Sequence, residues 1–395
     1  MSEQAYSADW IFPISSKPIR NGTIIIEDGT IKELIREPYK KNHAIYLQGA
    51  LLPGFVNSHT HLELGGLEGL ITATHNGLGD WLKRFGVFHR NYQISSSLDK
   101  IRGDIANLKK FGIVAIVDIF SSELIPSMLI DEKIAGVAFK QYIDGLGMKS
   151  VNIKEQTPHN TVEELRLSVA PHAPYSSSRQ LIKKIFKLNN CLGRKTSIHL
   201  QESKDDTLFC RSHTGIMDKL LRNIWPDIRE KYKNIMDEKE FVKRYFNENT
   251  IIVHAVESNP EIFSEQFNHG VNVVLCPRSN NFISGKYPKV DELYSMGVQF
   301  ALGTDSLASV ADLDIRKEAT CIREITKYIQ PEFLLKSLTL YGARTLGIDN
   351  RFGTLEPGRS AKINHLSFKG DHKEDRIERF LVDNLEQLPI KIIEC

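Results

Sequence analysis

Pro53-Gly54-Phe55-Val56-Asn57-Ser58-His59-Thr60-His61-Leu62-Glu63 joins a β-rich apolar run to two histidines one residue apart. Alternate residues of a strand share a face, so His59 and His61 converge on one point. Two imidazoles held in this way make half of a metal site. Without further ligands they are two histidines on a surface strand. Where the other ligands lie therefore decides both fold and chemistry.

Outward from this stretch, strand-like runs alternate with helical ones. The runs are Leu51–His61, Ile113–Ile119, Gly136–Ile143, Leu165–Ala170, Lys195–Leu200, Thr250–Ala255, Val271–Cys276 and Gly297–Gly303. Amphipathic stretches between them include Leu98–Phe111, Arg179–Leu188, Asn259–Asn268 and Asp312–Ile329. This alternation predicts an α/β fold with a parallel sheet covered by helices. Eight such units fit a distorted (β/α)8 TIM barrel. An open doubly wound sheet is the alternative, but no GxGxxG turn follows the first strand.

The two ends read differently. Thr23–Glu27 and Ile31–Ile35 flank Asp28-Gly29, a hairpin pattern. Gly353–Gly358 leads into the apolar run Ala361–Leu366. Residues 1–52 and 352–395 are thus expected to form one small composite β-sandwich, with the barrel over 53–351. Ser203–Asn249 is far longer than an ordinary barrel connection. A lid over the substrate and an insertion for dimer contacts both fit it.

The 395 residues are 41% hydrophobic and 25% charged, as in an ordinary folded protein. A net charge of +2, from 51 basic and 49 acidic residues, offers no reason to expect nucleic acid or a membrane surface as partner. No apolar run approaches the roughly 20 residues that span a bilayer, and Met1–Trp10 shows no signal-peptide pattern. The cysteines (Cys191, Cys210, Cys276, Cys321 and Cys395) are scattered without a CxxC pair. That usage suits reduced thiols in the cytoplasm. A homo-oligomer is compatible with all of this.

Further ligand candidates stand where a barrel places its chemistry, at the carboxyl ends of strands. His199 ends the fifth run, His254 the sixth and Asp305 the eighth, while His172 follows the fourth in Val169-Ala170-Pro171-His172. One histidine after an apolar run is more often a core residue than a ligand. A whole set at strand ends is hard to explain by packing. His59, His61, His199, His254 and Asp305 offer four nitrogens and one oxygen, a set for one divalent ion, zinc or iron rather than magnesium or calcium. Such an ion lowers the pKa of coordinated water from 15.7 to about 7. Glu202, three residues after His199, is the candidate proton shuttle; its plainer reading is a charge at a helix N-terminus. The other histidines (His43, His75, His89, His159, His213, His269, His365 and His372) have no comparable placement.

With these residues in view, the sequence resembles the amidohydrolase superfamily, in its branch of metal-dependent aminohydrolases. The matching segments are Pro53–Glu63, Ser168–Tyr175, Ser197–Ser203, Val253–Ala255, Leu275–Asn281 and Leu302–Ser309. The resemblance implies a barrel with a composite β-sandwich, Glu202 as proton shuttle, and Asp305 as both ligand and proton acceptor. Binuclear relatives carry a lysine on the fourth strand. Leu165–Ala170 has none, which implies one ion. Lys362 and Val310 stand where relatives commonly have Asp and Asn.

The implied reaction is attack of activated water on a ring carbon bearing an amino group, with His172 stabilising the tetrahedral intermediate or else only packing. Arg278 and Asn280, in Cys276–Asn281, are candidate substrate contacts; Arg278 also fits a loop ion pair. Trp81 and Phe85, four apart, suit stacking on a purine or a place in the core. The enzyme class is a hydrolase of C–N bonds other than peptide bonds, releasing ammonia. The favoured substrate is 6-aminodeoxyfutalosine, ahead of S-adenosylhomocysteine or methylthioadenosine, then guanine-type and triazine substrates. A cyclic amidohydrolase and a non-catalytic barrel are the more distant readings.

Overall fold

The structure, a computed structural model, describes residues 3–37, 44–153, 164–259, 261, 272–370 and 372–394. The expected helix Asn259–Asn268, together with His43, His159, His269 and Cys395, lies wholly or mostly outside them. The chain divides into two compact units: Met1–Asn57 with Ala106–Ile116 and Asp314–Cys395, and Ser58–Ile105 with Val117–Leu313.

In the first unit both termini enter one seven-stranded sheet. It contains β1 (Glu3–Ile11), β2 (Ile19–Arg20), β3 (Thr23–Glu27), β4 (Thr30–Ile35) and β5 (Ile45–Pro53). The turn between β3 and β4 places Asp28 at φ 48° and Gly29 at φ 71°. Two consecutive positive φ values match the twist of a tight hairpin, which is why Asp-Gly works there. Apolar residues on alternate positions, Ile24, Ile26 and Ile31 among them, are buried with Leu51 and Ile363 in a core of this unit.

The expected strand Leu51–His61 is two strands. β5 ends at Pro53, and β6 (Phe55–Thr60) begins after Gly54. Gly54 donates its N–H to Lys362 at 3.0 Å, while Phe55 donates to Gly112 at 2.8 Å. A Cβ on Gly54 would lie 2.4 Å from Val114 Cγ1, so only glycine fits this switch between sheets.

The eight strands of the TIM-barrel type follow in two four-stranded sheets. One runs β6, β7 (Ile113–Phe120), β8 (Ala135–Tyr142), β9 (Leu165–Pro171); the other runs β10 (Thr196–Leu200), β11 (Thr250–His254), β12 (Asn272–Leu275), β13 (Phe300–Leu302). The second sheet is parallel throughout, as is the β8–β9 pair. Every residue of β6, β7, β10, β11, β12 and β13 is buried, which explains the apolar runs of β7, β11, β12 and β13. The seven-stranded sheet is completed by β14 (Ile363–Leu366), antiparallel to β5, and β15 (Ile390–Ile393).

Ser203–Asn249 is largely helical, with helices Lys204–Ser212, Ile216–Ile224 and Glu238–Tyr245. Its Phe209, Met217, Leu221 and Tyr232 share a core with Leu78, Trp81 and Tyr175. Gly79 donates its N–H to Asp205 at 2.9 Å, and a Cβ there would strike Ile216 at 2.3 Å. This connection is packed into the core rather than draped over it.

Candidate metal centre

Each expected ligand stands at or just past a strand end in the second unit. His59 is inside β6, and His61 follows its last residue; His199 is in β10, and His254 closes β11. Asp305 lies beyond β13, where its N–H donates to the His59 carbonyl at 3.0 Å. Gly303 makes that approach possible, since a Cβ on it would sit 2.6 Å from His59 Cβ. His254 (φ 77°) and Asp305 (φ 63°) hold left-handed backbone conformations that non-glycine residues rarely adopt. Strain of this kind collects where side chains must be aimed.

The side chains converge. His59 and His61 each place Nε2 3.2 Å from His199 Nε2, and both lie 3.8 Å from Asp305 Oδ1. Candidate ligand atoms of His59, His199 and His254 fall within 4.8 Å of one another, as do those of Glu202, His254 and Asp305. Two nitrogens each about 2.1 Å from one zinc ion are separated by about 3.0–3.4 Å for angles near 90–110°. The 3.2 Å contacts fit a shared ion.

Proton placement agrees. His199 Nδ1 donates to the His172 carbonyl at 2.9 Å, which leaves its Nε2 lone pair facing the cluster. The Asn280 amide lies 3.0 Å from His254 Nδ1. With its oxygen turned to that nitrogen it accepts the Nδ1 proton, and Asn280 Oδ1 is otherwise buried without a partner. Burial lowers His61 to about 4 and, with the His61 charge, His199 to about 4 as well. Burial also pulls His59, His172 and His254 well below the usual histidine value. All five imidazoles are therefore neutral near pH 7, the state a metal requires.

The carboxyl groups divide the work. Asp305 Oδ2 accepts from Ser279 at 2.6 Å and Ser309 at 3.2 Å, leaving Oδ1 toward the histidines. Burial raises Asp305, while those hydroxyls and His199 oppose the shift. Glu202 is 6% exposed, and its Oε2 lies 3.9 Å from His254 Nε2. Burial, then Asp305 and Asp206, push its carboxyl well above the ordinary value, which favours the protonated form.

A cavity of about 230 Å³ opens onto this centre, lined by His61, His172, His199, Glu202, His254 and Asp305 together with Trp81 and Phe85. Phe85 stacks between Trp81 (centroids 4.9 Å, planes at 19°) and His89 (4.7 Å, 23°). The two aromatic candidates are thus both wall and core. His89, Glu63, Gln141 and Tyr175 also line the cavity without having stood out in the sequence. Glu63 and Tyr175 carried a signal, as the last residues of the matching segments Pro53–Glu63 and Ser168–Tyr175. Glu63 accepts the N–H groups of Ser121 and Ser122.

Two expected substrate contacts do not line the cavity. Arg278 is paired with Asp312, its Nη1 3.0 Å from Oδ1. Asn280 is fully buried behind His254. Ser279, between them, was not singled out, although it lies inside the Cys276–Asn281 motif.

Residues 50–384 match the model of the amidohydrolase family. The chain belongs to that family, and is a hydrolase acting on C–N bonds. Among its relatives is a 5-methylthioadenosine/S-adenosylhomocysteine deaminase of Pyrococcus furiosus, 26% identical over 381 residues, 88% of this chain and 83% of the relative. The Helicobacter pylori aminofutalosine deaminase solved with methylthio-coformycin has the same fold (TM-score 0.82, 18% identity, 96% of each chain covered). So does an adenosine deaminase from Xanthomonas campestris with bound zinc (TM-score 0.73, 20% identity, 95% and 88% covered).

Proposed function

We propose that this chain is a hydrolytic deaminase that replaces the amino group of a purine-type nucleoside or related heterocycle by oxygen. It would hold one divalent ion, zinc before iron, through His59, His61, His199, His254 and Asp305. One observation carries the reading: two buried carboxyl groups, Glu202 with its pKa pushed well up and Asp305, stand on the same small patch as imidazoles whose Nε2 atoms face one another.

Bound there, the ion would supply a water molecule acidified to near neutrality. Glu202 protonates the ring nitrogen beside the carbon under attack, which lifts the aromatic resistance to addition. Asp305 takes one proton from the attacking water, guided by the Ser279 and Ser309 hydroxyls that fix its other oxygen. That proton passes to the amino group, which leaves as ammonia. The remaining hydroxyl proton returns to Glu202 as the carbonyl forms. His172, 4.8 Å from His199 between ring centroids, faces the same cavity and would steady the adduct.

For the substrate, 6-aminodeoxyfutalosine is favoured, in keeping with the aminofutalosine deaminase of like fold. Methylthioadenosine or S-adenosylhomocysteine is the second reading, from the name of the Pyrococcus relative. A panel of adenosine, S-adenosylhomocysteine, 6-aminodeoxyfutalosine, guanine and cytosine, assayed for ammonia release with the zinc-loaded protein, tests both. An adenine-type compound should be turned over. Ammonia from none of them would sink the deaminase assignment.

A further inference from the structure

We propose that Asp118 is the positioning residue of His61: its Oδ1 grips both neighbours of that histidine and so sets where the imidazole stands in the centre. The inference rests on the metal-centre reading above but not on the identity of the substrate.

Asp118 sits in β7 and is 0% exposed. Its Oδ1 accepts from Thr60 Oγ1 at 3.0 Å and from the backbone N–H of Leu62 at 2.9 Å. Thr60 Oγ1 also reaches the Val117 carbonyl at 2.8 Å, so its side chain is tied to β7 at two adjacent points. His61 lies between the two gripped residues, immediately beyond the end of β6.

The other ligands show why such a grip is needed. His199 is held through its ring by the His172 carbonyl, and His254 through its ring by the Asn280 amide. His59 is inside a fully buried strand. Among the described residues, His61 has no comparable hydrogen bond through Nδ1. Its Nε2 nonetheless lies 3.2 Å from His199 Nε2. A side chain placed that closely without a ring anchor must be aimed through its chain neighbours, and Asp118 binds the Thr60 hydroxyl on one side and the Leu62 N–H on the other. Partners behind metal ligands typically carry about 10–100-fold of metal affinity when removed.

The test is zinc affinity by chelator competition, measured on the full-length protein without substrate. D118A should bind zinc about 10–100-fold more weakly than the parent. D118N keeps an oxygen that accepts both bonds, and should recover most of that loss. T60V, which removes one of the two bonds, should fall between. Thermal denaturation of the metal-free proteins separates folding from ligand placement: a merely structural residue would lower the melting temperature and leave zinc affinity unchanged. If D118A does not fold, D118N and T60V decide the matter. Parent-like zinc affinity in folded D118A, T60V equal to the parent, or a parent protein that takes up no zinc would each overturn the inference. A protein that binds zinc as expected yet deaminates nothing refutes only the deaminase reading.

Discussion

Exchanging Glu202 for glutamine tests the proposed chemistry with little disturbance of the structure. Burial together with Asp305 and Asp206 raises the carboxyl well above its ordinary value, which favours the uncharged form, and E202Q keeps its size while removing the transferable proton. Glu202 Oε2 lies 3.9 Å from His254 Nε2, outside the 3.2 Å contacts that link the imidazoles. Metal content and melting temperature should therefore stay at their parent values. What disappears is the proton given to the ring nitrogen. General acid catalysis is worth about 10²–10⁴ in rate, or about 2.7–5.4 kcal/mol of barrier. Ammonia release, coupled to glutamate dehydrogenase and followed at saturating substrate, should show kcat reduced by about 10²–10⁴. Metal analysis of the same sample by mass spectrometry supplies the control. A kcat within tenfold of the parent would refute the assigned role, and loss of the ion would move Glu202 into the ligand set.

Further outcomes follow from particular contacts. G303A should drive a methyl group into His59, whose Cβ would be 2.6 Å away; calorimetry should show a loss of about 1–3 kcal/mol, accompanied by reduced zinc content. R278A removes a partner of Asp312 outside the cavity, so KM should change little; a large rise would return Arg278 to the substrate site. With His61 and His199 each lowered to about 4, proton competition for these ligands begins only as pH falls toward that value. Zinc retained after desalting should thus be constant from neutral pH down through the ordinary histidine value of about 6.5. Loss beginning near 6.5 would contradict the stated burial effect. Because Leu165–Pro171 contains no lysine, full activity should need one zinc per chain; a second ion required for turnover would overturn the single-ion proposal.

The candidate His/Asp cluster was legible because a barrel sends the ends of its strands to one rim. His199, His254 and Asp305 each close an apolar run, so their meeting needs only the order of strands. The Asp28-Gly29 hairpin was equally legible, since its two positive φ angles restrict the residues that fit. The Cys276–Asn281 segment was different. It forms the start of the helix Pro277–Ser284, in which successive residues turn by about 100°. Arg278, Ser279 and Asn280 consequently face Asp312, Asp305 and His254, three separate partners. Expecting Arg278 and Asn280 both to touch substrate treated neighbours in sequence as neighbours in space.

By itself the sequence determined the α/β class, the alternation of strands and helices, and the ligand types offered at strand ends. Periodicity and side-chain chemistry are local, and they survive without coordinates. Only the tertiary structure decided that Gly54 breaks the opening stretch into two strands, that Asp118 stands behind Thr60 and Leu62, and that Ser203–Asn249 packs against the helix bearing Trp81. Each depends on contacts between residues far apart in the chain, where available space and unmet hydrogen bonds, not pattern, choose the partner.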